Sequence, residues 1–194
     1  MIPEIGTFAL CLALGLSTLL SIYPQWGASR QDERMMAMAR PLSYGMFGCI
    51  LLAFIILVHA FVVNDFSVAY VANNSNTHLP VYYRMAATWG AHEGSLLLWV
   101  LLLSCWTTAV ALFSRRMPND AVARVLAVMG LITTGFLLFI LLTSNPFLRT
   151  LPNFPIDGSD LNPVLQDIGL IFHPPILYMG YVGFSVAFAF AMPR

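Results

Sequence analysis

Pro41-Leu42-Ser43-Tyr44-Gly45-Met46-Phe47-Gly48-Cys49-Ile50-Leu51-Leu52-Ala53-Phe54-Ile55-Ile56-Leu57-Val58-His59-Ala60-Phe61-Val62-Val63 runs without a single Asp, Glu, Lys or Arg. A helix needs about 20 mostly apolar residues to cross about 30 Å of hydrocarbon, so this run is long enough to span a membrane. Four more segments qualify: 3–23, 93–114, 122–142 and 172–192. Glu4, Glu93 and Arg124 touch these segments only at their edges, as expected when a charge at the bilayer centre costs about 2.5–3.5 kcal/mol. The fold class that follows is all-α, a polytopic membrane protein of five transmembrane helices.

Composition agrees. The 194 residues are 59% hydrophobic and 9% charged, against roughly 25% charged residues in a soluble domain. Nine basic residues, all arginine, balance nine acidic ones. A neutral chain with no basic cluster is a poor nucleic-acid ligand, so no nucleic-acid partner is expected.

The arginines are distributed unevenly along the chain. Arg30, Arg34, Arg40, Arg115, Arg116, Arg124 and Arg194 fall on one side of the five spans, Arg84 and Arg149 on the other. The positive-inside rule therefore predicts the N-terminus outside and the C-terminus inside. The first segment begins Met1-Ile2-Pro3-Glu4, without a basic leader, and is expected to remain as a span. The connections expected on the outer side, 64–92 and 143–171, are long, and function concentrates on long ordered loops. Asn73-Asn74-Ser75 is formally a glycosylation sequon but reads as a polar turn.

Cys11, Cys49 and Cys105 lie inside apolar spans, and none belongs to a C-x-x-C or C-x-x-C-H motif. They are expected to be small buried packing residues, and covalent heme on this chain is excluded.

Of the four histidines, His173 stands in Ile171-Phe172-His173-Pro174-Pro175. Two consecutive prolines fit the start of a helix, where missing N–H groups cost nothing. That reading puts His173 at the outer mouth of the fifth span. A helix-capping histidine and a ligand to heme iron are both open there, and a lone histidine favours the cap.

Trp89-Gly90-Ala91-His92-Glu93-Gly94-Ser95 precedes the third span, with Trp99 inside it. Trp89, His92, Glu93 and Trp99 read either as interfacial anchors and a charged helix start or as an aromatic platform under a planar ligand. Trp99 and Trp106 are seven residues apart and share a helix face. His59 is expected to face other helices, and His78 to be a loop residue. Gly183, Ala187 and Ala191 form a small-residue stripe suited to close approach of another helix.

Several of these words together resemble one family. Asp160-Leu161-Asn162-Pro163-Val164-Leu165-Gln166-Asp167, Gly169-Leu170-Ile171-Phe172-His173-Pro174-Pro175 and Tyr178-Met179-Gly180-Tyr181 are similar to CcmF, the large membrane subunit of the bacterial cytochrome c heme lyase. Trp89 to Leu96, Asn64-Asp65-Phe66 and Pro3-Glu4-Ile5-Gly6 resemble the same family. The resemblance implies cytochrome c maturation in the bacterial inner membrane, with working loops in the periplasm. Such proteins receive heme from the chaperone CcmE and join it to an apocytochrome c, alongside the subunits CcmH and CcmI, with quinol as a source of electrons. His173 matches one of two histidines thought to hold that heme, a non-covalent b-type group at this stage.

The family's tryptophan-rich motif, its second flanking histidine and its membrane heme b histidines are absent from the 194 residues. The resemblance thus leads us to expect the first third of such a protein, truncated or one piece of a split gene, and inactive in ligation by itself. NrfE, a paralogue dedicated to nitrite reductase, and a purely structural scaffold for other assembly subunits remain the alternatives. A proton- or solute-translocating subunit would need ionisable groups at mid-membrane, and the spans have none but His59 near one end.

Overall fold

A computed structural model describes residues 1–192. Arg194, counted above on the inner side, lies outside the described residues. The elements are α1 (Ile2–Arg30), α2 (Glu33–Ala37), α3 (Ala39–Val62), α4 (Ala69–Asn74), α5 (Val81–Ala87), α6 (His92–Phe113), α7 (Asn119–Thr143), a 3₁₀ turn (Pro163–Leu165), α8 (Ile168–Val182) and α9 (Phe184–Ala191). Five stretches are long and apolar enough to cross a membrane: α1, α2 with α3, α6, α7, and α8 with α9. This is an all-α, multi-pass membrane protein, and no named strand occurs among the described residues.

Helix ends follow caps more closely than hydropathy. α1 continues past Tyr23, with Pro24 inside it, and stops where Gln31 turns left-handed at φ 57°. The Asp32 carboxylate then accepts from the backbone N–H groups of Arg34 and Met35 at 2.9 and 3.2 Å and starts α2. The fifth span starts earlier than the prolines suggest. Asp167 caps it, accepting from Gly169 N at 2.6 Å, so His173, Pro174 and Pro175 lie within α8 instead of at its start.

α1 sits between α3 and α7 and packs on both, while α6 closes the group against α3 and α7. Leu10, Leu20, Met46, Ile50, Leu57, Leu126, Met129 and Leu137 are fully buried there. Lipid supplies no hydrophobic drive between helices, so close backbone approach and interhelical hydrogen bonds hold them together. Both occur where α1 meets α7. A Cβ on Gly130 would lie 2.9 Å from Leu20 Cγ and 3.1 Å from the Ser17 carbonyl oxygen. One turn along, Thr134 Oγ1 lies 2.9 Å from both Ser17 Oγ and the Gly130 carbonyl oxygen.

The fifth span packs less. Of α8 and α9 only Leu170, Val182 and Ala189 are buried. Ala187 and Ala191, expected on a small-residue packing face, are exposed, and Gly183 of the same stripe approaches Trp106. The cysteines also depart from expectation: Cys11 is exposed, Cys49 and Cys105 half-buried. A helix group in lipid can leave apolar side chains on its periphery, so a thiol in a span need not reach a core.

Arginines tie helix ends together at both levels. Arg40 donates through Nε to the Ala111 carbonyl at 3.2 Å and through Nη2 to Ser114 at 3.4 Å, joining the start of α3 to the end of α6. At the other level Arg84 Nη1 donates to the Val62 carbonyl at 3.0 Å, the end of α3. Arg149 grips Glu4 with two bonds of 2.9 and 3.1 Å. Its Nη1 also bonds Ser67 Oγ and lies 3.5 Å from Asp65.

Gly130→Val is expected to wedge α1 from α7 and cost about 1–3 kcal/mol. Thermal unfolding in detergent would show it as a lowered Tm, and an unchanged Tm would contradict this close approach.

Candidate functional site

α4 and α5 fold back over the end of the bundle and set up the turn that carries Trp89. Tyr70 on α4 is buried, and its hydroxyl donates to the Thr88 carbonyl at 3.1 Å while accepting from Ala91 N at 3.3 Å. Burial pushes this phenol above its ordinary pKa. Gly94 passes directly beneath: a Cβ there would stand 1.7 Å from the Thr88 carbonyl oxygen and 2.6 Å from the Tyr70 hydroxyl. Only glycine allows this approach.

Trp89 is half-buried, its ring stacked on Phe54 of α3 with centroids 6.4 Å apart and planes at 12°. Its indole N–H donates to the Leu170 carbonyl on α8 at 2.8 Å. Trp99 is half-buried among Phe136, Tyr178 and Tyr181, at centroid distances of 5.1, 6.0 and 4.9 Å. Ser95 Oγ and the Tyr178 hydroxyl share a short hydrogen bond of 2.5 Å. Further along, the Trp106 indole N–H donates to the Met179 carbonyl at 3.1 Å. Three tryptophans and a serine on the α6 side therefore hold α8.

His173 lies in the second turn of α8 and its side chain is exposed. His92 turns towards α7 instead: its ring packs on Phe139, with centroids 6.3 Å apart, and Nδ1 lies 3.3 Å from Ser144 Oγ. Glu93 is half-buried in the first turn of α6. His78 stands beside Asp157, at 4.0 Å. His59 is exposed, contrary to the expectation that it faces other helices, and lines an open cavity of about 410 Å³ with Asp65, Val63 and the first residues of α1. No group of three or more His, Cys, Asp or Glu converges among the described residues. All four imidazoles are exposed and stand apart, so these residues build no metal centre by themselves; His173 could supply a single imidazole ligand to a heme iron.

Two things were not visible as site features in the sequence: the Arg149–Glu4–Asp65 cluster and the bond from Trp89 to Leu170. The second had a signal. Pro174 has no N–H for the carbonyl four residues back, which is Leu170.

The long connections clasp one another above the site. Ala69 N donates to the Leu148 carbonyl at 2.8 Å, and Ser159 N to the Ala72 carbonyl at 2.7 Å. Asp157 accepts from the Thr77 hydroxyl at 2.8 Å and from Thr77 N at 3.0 Å. The Thr77 hydroxyl, then its backbone N–H, hold the Asp157 carboxyl below its ordinary value of 3.8.

The fold and the tryptophan-held histidine helix define a multi-pass membrane protein whose exposed imidazole is carried on a braced span. The comparisons give the family. A family model described as cytochrome C assembly protein matches residues 89–193, and the chain belongs to that family. It is 71% identical over 192 residues to the cytochrome c-type biogenesis protein CcmF of Escherichia coli (strain K12), covering 99% of this chain and 30% of that one. The CcmF of Pseudomonas aeruginosa is 62% identical over 99% of this chain and 29% of its own length. The biogenesis protein NrfE of Haemophilus influenzae is 47% identical over 99% of this chain and 30% of its own. A solved structure titled Cytochrome c Heme Lyase CcmF superposes with a TM-score of 0.84 at 31% identity, covering 98% of this chain and 30% of that one. The chain spans about 30% of the length of the relatives it matches.

Acid should loosen the clasp. A carboxylate with a depressed folded pKa stabilises the folded form above its unfolded value, and that contribution is lost as pH falls through the folded value. The protection of the Thr77 and Gly158 amides, relative to an unfolded chain at the same pH, is expected to fall when pH drops below the ordinary carboxylate range, and Asp157→Asn should remove that dependence.

Proposed function

We propose that this chain serves cytochrome c maturation as the heme-receiving part of a heme lyase, with His173 as one axial ligand. The observation that carries the reading is the exposed imidazole on a span held by three separate side-chain hydrogen bonds. Family membership supplies the chemistry: heme, when bound, brings vinyl groups that can be joined to apocytochrome thiols. The residues here hold and orient. His173 supplies the ligand, and the Trp89 and Trp99 neighbourhood fixes the helix that carries it. His92 and Glu93, the other platform candidates, sit at the start of α6, with His92 turned to α7. A second ligand would have to come from another segment of the full-length protein. On this reading the partners are the heme chaperone CcmE, the subunits CcmH and CcmI, apocytochrome c and, for the whole protein, quinol.

The arginine asymmetry supports a periplasmic site in the bacterial inner membrane. Arg84 and Arg149, the two arginines on the proposed outer side, each bond to helix-end groups there. One other reading has its own observation. The sparse burial of α8 and α9 suits a scaffold that docks further helices.

In full-length protein co-expressed with the heme chaperone, His173→Ala should lower co-purified heme by about 10-fold or more, by analogy with the cost of weakening a metal site. Unchanged heme and cytochrome c yield would remove the role given to His173. Orientation is tested separately with Asp157→Cys and Arg115→Cys. An impermeant maleimide applied to intact spheroplasts should label the first and not the second.

A further inference from the structure

Pro174 and Pro175 leave the turn that carries His173 short of two backbone hydrogen bonds, those to the Leu170 and Ile171 carbonyls. Pro174 follows the histidine and has no N–H, so the Leu170 carbonyl loses its ordinary partner within the helix. In an apolar medium an unpaired carbonyl is costly, and a side-chain donor from a neighbouring element relieves that cost. The Trp89 indole N–H does so at 2.8 Å. Leu170 lies three residues before His173, which puts both on neighbouring positions of one helix face. The donor is itself fixed, because the indole is stacked on Phe54 of α3. The line from α3 through Trp89 to Leu170 therefore sets how the His173 turn stands relative to the bundle.

We propose that Trp89 is a positioning residue for His173: its indole N–H replaces the amide that Pro174 lacks and fixes the direction in which the imidazole presents its nitrogen to heme iron. This rests on the reading of His173 as an axial ligand and goes one step beyond it. Trp89 acts through the backbone and not as a face beneath the heme. Trp106 provides the internal comparison. It makes the same kind of bond to the same span, at Met179, almost two turns beyond His173. A general role in holding the span would make the two tryptophans equivalent, and a positioning role makes only Trp89 matter at the iron.

The test uses heme-loaded, full-length protein. Trp89→Phe keeps most of the ring volume and removes the N–H. It is expected to shift the low-spin electron paramagnetic resonance signature of the heme and to weaken heme retention about five-fold, the size of one lost hydrogen bond. Trp106→Phe should leave the signature unchanged. If Trp89→Phe leaves the signature intact while His173→Ala abolishes it, the positioning role is wrong and the ligand reading stands. If both tryptophan variants shift it equally, Trp89 only holds the span and the proposal is overturned. If His173→Ala leaves the signature intact, the ligand reading fails and the positioning role fails with it. A second variant needs no heme and stands in if Trp89→Phe does not fold. Pro174→Ala returns an amide donor to the Leu170 carbonyl, so the Trp89 indole N–H should exchange with solvent faster than in the parent. An unchanged indole exchange rate would show that the indole is not standing in for the missing amide.

Discussion

A carbonyl in hydrocarbon must find a donor within the protein, and much of this structure answers that demand. Water satisfies the last carbonyls of a helix in a soluble protein, but near a membrane the chain supplies its own partners. Arg84 serves the end of α3, and Arg40 the end of α6. Trp106 serves Met179, beside the break between α8 and α9 at Gly183. Trp89 serves Leu170, freed by Pro174. The same side chains join one helix to another, so satisfying the backbone and assembling the bundle are achieved by the same bonds.

That economy explains how a span with so little buried surface stays in place. α8 offers few side chains to the core, and its attachment is polar and local. Trp89, Ser95 and Trp106 reach it from three levels along α6 and the turn before it. Gly94 makes the turn possible by letting the Thr88 carbonyl and the Tyr70 hydroxyl close over the start of α6. The exposed His173 is then carried on a helix held through its Leu170 and Met179 carbonyls and its Tyr178 hydroxyl.

Much of this is legible in the sequence. Long uncharged runs are required of spans, so the five of them could be read directly from the residues. The start of the fifth could not be read from Pro174 and Pro175. Proline marks helix starts in soluble proteins, but inside a membrane helix it survives when a neighbour satisfies the freed carbonyl, and here Trp89 does. Asp167, the cap that starts α8, stands six residues ahead of His173, where no proline marks a helix start. Arg149 is a single charge in the sequence, and its partners Glu4 and Asp65 lie too far away for spacing to connect them. Tryptophans seven apart signalled a shared face, while the destination of each indole N–H depended on how α8 docks. Cys11 points outwards because lipid, unlike water, does not force apolar spans to hide one side, whereas His59, near the end of α3, opens into the cavity beside Asp65.

The two arginine levels also measure something. Arg40 sits near the start of α3, and Arg84 binds the carbonyl of Val62 at its end. The 24 residues of α3 make a rod of about 36 Å. Typical hydrocarbon is about 30 Å thick. With charged groups anchored at both ends, α3 spans the hydrocarbon and reaches into the headgroup layer on each side, where about 40–45 Å is available in all. The molecule therefore has a preferred membrane thickness, and changing acyl-chain length around it would strain the bonds at Arg40 and Arg84 before it disturbed the packed interior.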